Sequence, residues 1–228
     1  MSELLVQITT YISIFIQLLT GVFSLAGVTY KLPYPHQILV EALKLELIVQ
    51  AIEFVFYLWL IFRFSLKDMA TTRYYDWFIT TPTMLFTTIV VYTYLARTQE
   101  KQVKEWTLKE FVKENKNSII IIVIANFFML LFGYLGEIKV ISKVNATLFG
   151  FIALAVSFTT IYKQFAYKLT EKDKWLFGLL VSFWSLYGIA YVFPDAPKNI
   201  SYNFLDIIAK NFFGLYLFYK ITQIDKTK

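Results

Sequence analysis

Long apolar runs separated by short polar connections repeat along the whole chain. Each run is close to the ~20 residues that an α-helix needs to cross the hydrocarbon core of a bilayer. Seven runs can be marked, at residues 4–30, 38–64, 69–95, 119–135, 144–165, 175–193 and 200–221. The connections are short and charged, and no internal repeat is visible. We therefore predict an all-α membrane protein in which residues 1–228 form a single seven-transmembrane-helix bundle.

Composition supports this prediction and removes several classes of function. Hydrophobic residues make up 57% of the chain and 23 residues are Phe, which is too apolar for a soluble domain of this length. Cys is absent and His36 is the single histidine, so we expect no disulfide, no thiolate or His-based metal site and no catalytic triad. No nucleophile–base pair is visible, so an enzyme is not predicted. The first apolar run is about twice the length of a signal-peptide core, so a cleavable signal is not expected.

The distribution of Lys and Arg among the connections predicts the orientation of the bundle. With the N-terminus outside, fourteen cations fall in cytoplasmic parts and five in external parts, namely Arg63, Lys67, Lys139, Lys143 and Lys198. Because cations are enriched on the cytoplasmic side, we expect the N-terminus outside and the C-terminus in the cytoplasm. The net charge of +6 then reflects topology and contact with anionic lipid headgroups rather than nucleic-acid binding. The expected location is the plasma membrane of the host cell or another cellular membrane.

Lys210 stands in the otherwise apolar seventh run, and Asp206 precedes it by four residues. The i, i+4 spacing places the amine and the carboxylate on one face of a helix. A charge in the middle of a bilayer costs at least ~2.5 kcal/mol on insertion scales, so it marks a functional site by default. A desolvated Lys amine is suited to forming a Schiff base with a carbonyl compound. The alternative is a structural ion pair between packed helices.

The third run carries a polar face of its own. Its members recur at every third or fourth residue: Arg73, Asp76, Thr80, Met84 and Thr87. Pro82 interrupts the backbone hydrogen bonds of the same run, and neighbouring hydroxyl groups can satisfy the groups that it frees. Because buried charges of opposite sign neutralise one another, we expect this face and the pair on the seventh run to form one site.

The second run carries two carboxyl groups well inside the membrane. Its polar residues, at positions i, i+4, i+7 and i+11, share a narrow sector of one helix face: Glu46, Gln50, Glu53 and Tyr57. Because carboxylates are too costly to place against lipid, this face is expected to turn toward a water-filled or gated path that favours cations. The alternative is a set of protonated carboxyl groups that join neighbouring helices by hydrogen bonds.

Motifs on the third and seventh runs resemble those of the microbial (type 1) rhodopsins. They are Arg73-Tyr-x-Asp-Trp-x-x-Thr-Thr-Pro82 and Asp206-x-x-x-Lys210. The resemblance covers all seven runs, and it implies a seven-helix bundle that binds all-trans retinal on the seventh-helix Lys as a protonated Schiff base. The implied counterion site consists of the Schiff-base residue Lys210, the counterions Asp76 and Asp206, and a surrounding network of Arg73, Tyr57 and Thr80.

The sixth run adds Trp184-Ser-Leu-Tyr187, which is similar to the family's retinal-contacting Trp-Ser-x-Tyr. Gly188 and Tyr191 depart from the Pro and Trp that many members have at these positions. Met84 would occupy the spectral-tuning position near the retinal ring, where an apolar residue implies green rather than blue absorption. The implied retinal pocket consists of Trp77, Thr81, Met84, Asn126, Gly133, Phe149, Trp184, Tyr187 and Tyr191.

The residues that separate pumps from channels favour a channel. Thr87 stands eleven residues after Asp76, where proton-pumping relatives have a carboxylic acid, and Lys198 stands where pumps commonly place a Glu. The pattern resembles channelrhodopsins instead, whose pore runs between the first, second, third and seventh helices. The paired Glu residues and short loops look closer still to the channel-forming viral rhodopsins. The implied ion path consists of Glu46, Gln50 and a central gate of Ser13, Glu53 and Asn211.

We therefore predict a retinal-binding photoreceptor that acts as a light-gated channel for small cations (H⁺, Na⁺, K⁺) in a lipid bilayer. Two alternatives remain open: a slow light-driven outward proton pump, and a sensory rhodopsin that signals to a separate transducer protein. Homo-oligomerisation is left open as well.

Overall fold

The computed structural model describes residues 2–99 and 106–226 of the chain. The described residues form α-helices and short helical turns, without a β-strand. The α-helices are α1 (Ser2–Gly27), α2 (Gln37–Phe62), α3 (Leu66–Arg97), α4 (Leu108–Glu137), α5 (Lys143–Gln164), α6 (Trp175–Tyr191), α7 (Asp195–Asp206) and α8 (Phe212–Asp225). One turn of π-helix, Ile207–Asn211, joins α7 to α8, so that these two elements form an interrupted seventh helix. The predicted seven-helix bundle is therefore confirmed.

The helices have the length and the apolar surface of membrane-spanning segments. Helices α1 to α5 are each long and apolar enough to cross a membrane, and α6 is apolar but has 17 residues. Large apolar side chains are exposed on the outer faces of the bundle, which is unfavourable in water and normal against lipid. Examples from four helices are Phe15, Val55, Val144 and Phe212.

The observed helix ends differ from the predicted ones by four residues or fewer, except at two N-termini. The fourth helix begins at Leu108 instead of residue 119 because Thr107 and Glu110 form a capping box before its apolar part. The seventh helix begins at Asp195 instead of residue 200, and Pro197 lies in its first turn, where no backbone N–H donor is needed. A prediction based on hydropathy omits the polar first turns of both helices.

The bundle interior separates into an apolar part and a polar part. Apolar side chains fill the end of the bundle where α2 begins and α3 ends, among them Leu39, Leu43 and Val91. Buried polar side chains instead collect between α1, α2, α3 and the interrupted seventh helix. This polar part contains Thr10, Ser13, Gln17, Glu46, Gln50, Glu53, Arg73, Asp76, Asn203, Asp206 and Lys210.

Candidate functional site

Lys210 lies at the centre of a fully buried cluster of charged side chains. Its Nζ donates a hydrogen bond to Asp76 Oδ2 at 2.7 Å. The same nitrogen lies 3.5 Å from Glu53 Oε1 and 3.6 Å from Asp206 Oδ1. With Arg73, the cluster contains two cations and three carboxyl groups. Since an uncompensated buried charge is very costly, electroneutrality requires one of these carboxyl groups to hold a proton.

The π-helical turn gives Lys210 its position on the seventh helix. The sequence spacing predicted an α-helical i, i+4 pair with Asp206, whereas the turn between the two residues is wider than an α-helical one. The amine still reaches the carboxylate of Asp206, and it also reaches α2 and α3. Single π-helical turns inside α-helices occur frequently at functional sites.

Asp206 is held on both of its carboxylate oxygens. Arg73 Nη1 and Tyr57 OH donate to Oδ2 at 3.0 and 2.6 Å, and Tyr187 OH donates to Oδ1 at 2.6 Å. Arg73 Nη1 also donates to Tyr57 OH at 2.8 Å, which closes a three-membered network. The structure therefore brings Arg73 and Tyr57 of the predicted counterion network together at Asp206 and adds Tyr187, which the sequence assigned only to the retinal pocket.

Asp76 is held less completely than Asp206. Its Oδ1 atom is buried and has no hydrogen-bond partner among the described residues. Thr80, which was predicted to belong to the counterion network, donates from Oγ1 to the backbone carbonyl of Asp76 at 3.0 Å instead of to the carboxylate. Asp76 therefore retains an acceptor atom that is free to bind a proton.

Two Asn residues of α7 complete the surroundings of Arg73, and sequence reasoning missed their contacts. Arg73 Nε donates to Asn199 Oδ1 at 3.2 Å, and Nη2 donates to Asn203 Oδ1. Asn203 in turn connects to α1 by donating to Thr10 Oγ1 at 3.0 Å. The signal was present in the sequence, because steps of four, three and four residues place both Asn residues on the helix face of Asp206 and Lys210.

An apolar cavity opens beside the Lys210 amine. Seven of the nine predicted pocket residues line it: Trp77, Thr81, Met84, Gly133, Trp184, Tyr187 and Tyr191. Further lining residues that the sequence did not single out are Tyr74, Met129, Leu130, Ala146, Thr147, Gly150, Phe151, Leu154, Tyr202 and Ala209. Asn126 lies behind this wall, where it donates to Thr81 Oγ1 at 2.9 Å.

The structure places Phe149 outside the cavity, contrary to the sequence interpretation. Its side chain is 41% exposed and packs against Phe132. The inward face of α5 instead carries Gly150, Phe151 and Leu154. The sequence of this helix is apolar on several sides, so periodicity alone did not fix which residue points inward.

The predicted ion-path residues are all buried between α1, α2 and the seventh helix. Ser13 Oγ accepts a hydrogen bond from Gln17 at 3.1 Å, and Thr20 donates to Asn211 Oδ1. Within the described residues, no direct hydrogen bond links the three predicted gate residues Ser13, Glu53 and Asn211 to one another. They lie along one polar region without forming a hydrogen-bonded triad.

Many polar atoms in this region have no hydrogen-bond partner in the described part of the chain. We call this row of buried side chains the polar seam; it consists of Ser13, Gln17, Ser24, Glu46, Gln50, Glu53 and Asn211. The unpaired atoms are Gln17 Oε1, Ser24 Oγ, Glu46 Oε2, both amide atoms of Gln50, both carboxyl oxygens of Glu53 and Asn211 Nδ2. Buried polar groups of this kind bind water or ions in proteins.

Lys198 forms a separate buried ion pair near the start of α7. Its Nζ lies 2.8 and 2.9 Å from the two carboxylate oxygens of Glu137 at the end of α4, and 3.4 Å from Asp195. The sequence drew attention to Lys198, but not to Glu137, which lies 61 positions away along the chain. The pair joins α4 to the seventh helix.

Comparison with known proteins identifies the family. The sequence pattern of the bacteriorhodopsin-like protein family matches residues 5–224. The chain belongs to this family. No curated protein sequence matches the chain. Membership in a rhodopsin family implies a retinal chromophore and a location in a membrane.

Solved rhodopsin structures share the fold over nearly the whole chain. The viral rhodopsin OLPVRII is 26% identical, with a TM-score of 0.81 and coverage of 96% of this chain and 99% of that chain. The rhodopsin of Exiguobacterium sibiricum is 17% identical, with a TM-score of 0.75 and coverage of 98% of both chains. A blue light-absorbing proteorhodopsin from Med12 is 22% identical, with a TM-score of 0.71 and coverage of 98% of both chains. The predicted resemblance to microbial rhodopsins is confirmed, and a viral member is among the similar structures.

The rhodopsin cavity fits retinal in its chemistry. It offers one primary amine, that of Lys210, at the end of an otherwise aromatic and apolar wall. The unpaired Asp76 Oδ1 lies beside this amine's hydrogen-bond partner Oδ2, so the carboxylate can neutralise a cation there. The packing of α6 explains why Gly188 stands where many relatives have Pro, because a Cβ atom at this position would lie 2.5 Å from the Phe151 ring. The small residue lets α6 pack closely against the cavity wall on α5.

Proposed function

We propose that this rhodopsin is a photoreceptor that works as a light-gated cation channel. The polar seam is the observation that carries the proposal, because it places two carboxyl groups and several unpaired polar atoms along one buried row. Such a row is costly in a closed apolar bundle, and it is suited to a path that fills with water and cations. Carboxyl groups favour cations over anions by direct attraction.

In this proposal, Lys210 Nζ holds all-trans retinal, and the cavity residues surround it. When bound, retinal supplies the absorption of light and a change of shape. Three side chains donate to the carboxylate of Asp206, whereas among the described residues Asp76 accepts a hydrogen bond only from Lys210 Nζ, at Oδ2. Asp76 is therefore the carboxylate that would accept a proton from this nitrogen, so that the N–H bond breaks as the O–H bond at Oδ2 forms. Neutralisation of Asp76 would weaken its attraction for Lys210 and for Arg73, and thereby loosen the contact of α3 with the seventh helix.

Glu53 connects this charge cluster to the polar seam. Its carboxyl group lies 3.5 Å from the Lys210 nitrogen, and both of its oxygens lack a hydrogen-bond partner among the described residues. A change at Lys210 therefore reaches the seam through Glu53 directly. We propose that cations pass between α1, α2, α3 and the seventh helix, with the start of α1 outside the cell and the end of α8 in the cytoplasm.

An outward proton pump is the second candidate, and one contact favours it. Thr87 stands where pumping relatives have a carboxylic acid, but Thr87 Oγ1 donates to Glu46 Oε1 from the neighbouring helix. A carboxyl group therefore does lie beside this position, although α2 supplies it. Glu46 is suited to returning a proton toward Lys210 in a pump cycle, in place of the missing acid on α3.

The test is the substitution Glu53→Gln, followed by photocurrents under voltage clamp. We expect the alkali-cation current to fall roughly tenfold, which corresponds to about 1.4 kcal/mol, while the visible absorption band is retained. Glu41→Gln is the matched control because it removes the same charge from α2 outside the polar seam. Unchanged currents in Glu53→Gln would show that the cations do not pass along the polar seam.

A further inference from the structure

Gly214 lies on α8, one turn beyond Lys210, at a point where side chains of α1 and α2 meet the backbone of α8. A Cβ atom placed on Gly214 would overlap Gln50 Nε2 and would lie 3.3 Å from Ser24 Oγ. The amide of Gln50 and the hydroxyl of Ser24 therefore converge on the same small volume. Only a residue without a side chain leaves this volume to them.

The two side chains at this point, and the carboxyl group one turn away from Gln50 on α2, carry atoms without a hydrogen-bond partner in the described part of the chain. Both amide atoms of Gln50, the hydroxyl of Ser24 and the Oε2 atom of Glu46 are unpaired. The exposed fraction of Gln50 is 2%, and Ser24 and Glu46 are fully buried. Glu46 precedes Gln50 by four residues on α2, so the carboxyl group and the amide lie on one helix face. Unpaired groups in so buried a place call for a ligand that the chain itself does not supply.

We propose that Glu46, Gln50 and Ser24 form an inner binding site for a partly dehydrated monovalent alkali cation, and that Gly214 keeps this site open. The inference rests on the proposed channel function and names the place where the channel contacts its ion. The available ligands are a carboxylate, an amide carbonyl and a hydroxyl oxygen, which are hard donors of the kind that Na⁺ and K⁺ bind.

The composition of the site favours a monovalent ion over a divalent one. Ca²⁺ takes six to eight oxygen ligands, usually with several carboxylates, and Mg²⁺ requires a nearly ideal octahedron. One carboxyl group with two neutral oxygens provides less charge than either ion needs. The Gln50 amide carries both a carbonyl oxygen and an NH₂ group, so that it can turn its carbonyl oxygen toward a cation.

Three substitutions test the site through photocurrents of the full-length, retinal-loaded protein in defined Na⁺ and K⁺ solutions. Gly214→Ala puts a methyl group where the Gln50 amide lies, Gln50→Leu removes the amide at similar volume, and Ser24→Ala removes a single hydroxyl. We expect Gly214→Ala and Gln50→Leu to lower the Na⁺ and K⁺ currents roughly tenfold. Ser24→Ala should shift the Na⁺/K⁺ permeability ratio, and all three proteins should keep the wild-type absorption maximum.

Gly21→Ala is the matched control, because a Cβ atom at Gly21 on α1 meets nothing within 4 Å. This variant should conduct like the wild type. If the wild type carries no passive cation current, the channel proposal fails and the inner site fails with it. If the wild type conducts and Gln50→Leu and Ser24→Ala keep its currents and permeability ratio, the cation site is wrong while the channel stands. A loss of current in Gly214→Ala alone would likewise overturn the cation site. It would show that the added methyl group narrows the ion path and that Gln50 and Ser24 do not bind the ion.

Discussion

Lys210 is the residue that we propose to bind retinal. Its side-chain amine lines the cavity, and three carboxyl groups lie within 3.6 Å of its Nζ. We predict that Lys210→Ala abolishes the visible absorption of protein supplied with retinal, because no covalent link can form. Lys44→Ala, which removes an exposed amine on α2, should stay coloured. A coloured Lys210→Ala protein would show that the chromophore is held elsewhere.

Arg73 and Asp206 form a fully buried ion pair, with 3.0 Å between Arg73 Nη1 and Asp206 Oδ2. Removal of one partner of a buried ion pair typically costs about 3–5 kcal/mol, because the remaining charge loses its direct partner. We predict that Asp206→Asn lowers the free energy of unfolding by roughly this amount, measured by chemical denaturation in detergent. Glu41→Gln, a charge removal on α2, should have a much smaller effect. Equal stability of Asp206→Asn and the wild type would mean that Arg73 finds its charge balance in another group.

The ionisable residues of the site were predictable from the sequence for a simple reason. Asp76, Asp206 and Lys210 interrupt apolar runs, where a charge is too costly to be accidental. Phe149 could not be placed in this way, because one aromatic residue among many apolar neighbours carries no such cost. The Lys198–Glu137 pair was missed because its partners are far apart along the chain and come together only in the folded bundle.

At the scale of elements, His36 ties the beginning of α2 to the end of α3. Its Nδ1 atom lies 2.6 Å from Tyr94 OH, and the two rings meet edge to face. Burial lowers the pKa of His36 from its ordinary value of 6.5. Below pH 6.5 the unfolded chain therefore binds more protons than the folded protein. The free energy of unfolding therefore has its full value, as far as His36 contributes to it, above pH 6.5. This contribution is lost as the pH falls from 6.5 toward the pKa of His36 in the folded protein.

We predict that the midpoint temperature of thermal unfolding decreases when the pH is lowered from 7.5 to 5.5. The substitution His36→Phe should make this decrease smaller. The comparison of the two slopes isolates His36 from carboxyl groups that titrate in the same range, because His36 is the single histidine of the chain. The measurement is loss of the visible absorption band on heating. Identical slopes in both proteins would show that His36 is equally protonated in the folded and unfolded states.

The element boundaries show where hydropathy is sufficient and where it is not. The seven runs followed from apolar length alone. The early start of α4 depended on the Thr107 and Glu110 capping box, a polar signal outside the apolar run. The π-helical turn Ile207–Asn211 has no hydropathy signal, since it changes the backbone hydrogen bonds and leaves the composition unchanged.

In the whole molecule, the cavity and the polar seam lie on opposite sides of Lys210. The rhodopsin bundle has an apolar cavity on one side of Lys210, toward α4, α5 and α6. The polar seam lies on the other side, toward α1 and α2. A single residue therefore separates the region that fits the chromophore from the region that fits the ions. The sequence predicted part of each set of residues, but only the folded bundle shows that Glu53 brings the two regions into contact.

The most direct test of the light-gated channel is the photocurrent of the wild-type protein in retinal-supplemented cells under voltage clamp. The membrane potential is stepped while the Na⁺, K⁺ and H⁺ gradients are varied one at a time. We predict a current that changes sign near a cation equilibrium potential and follows that potential when the gradient changes. A current that stays outward at every accessible voltage would contradict the channel proposal and identify a pump. A coloured protein without any current would contradict both the channel and the pump.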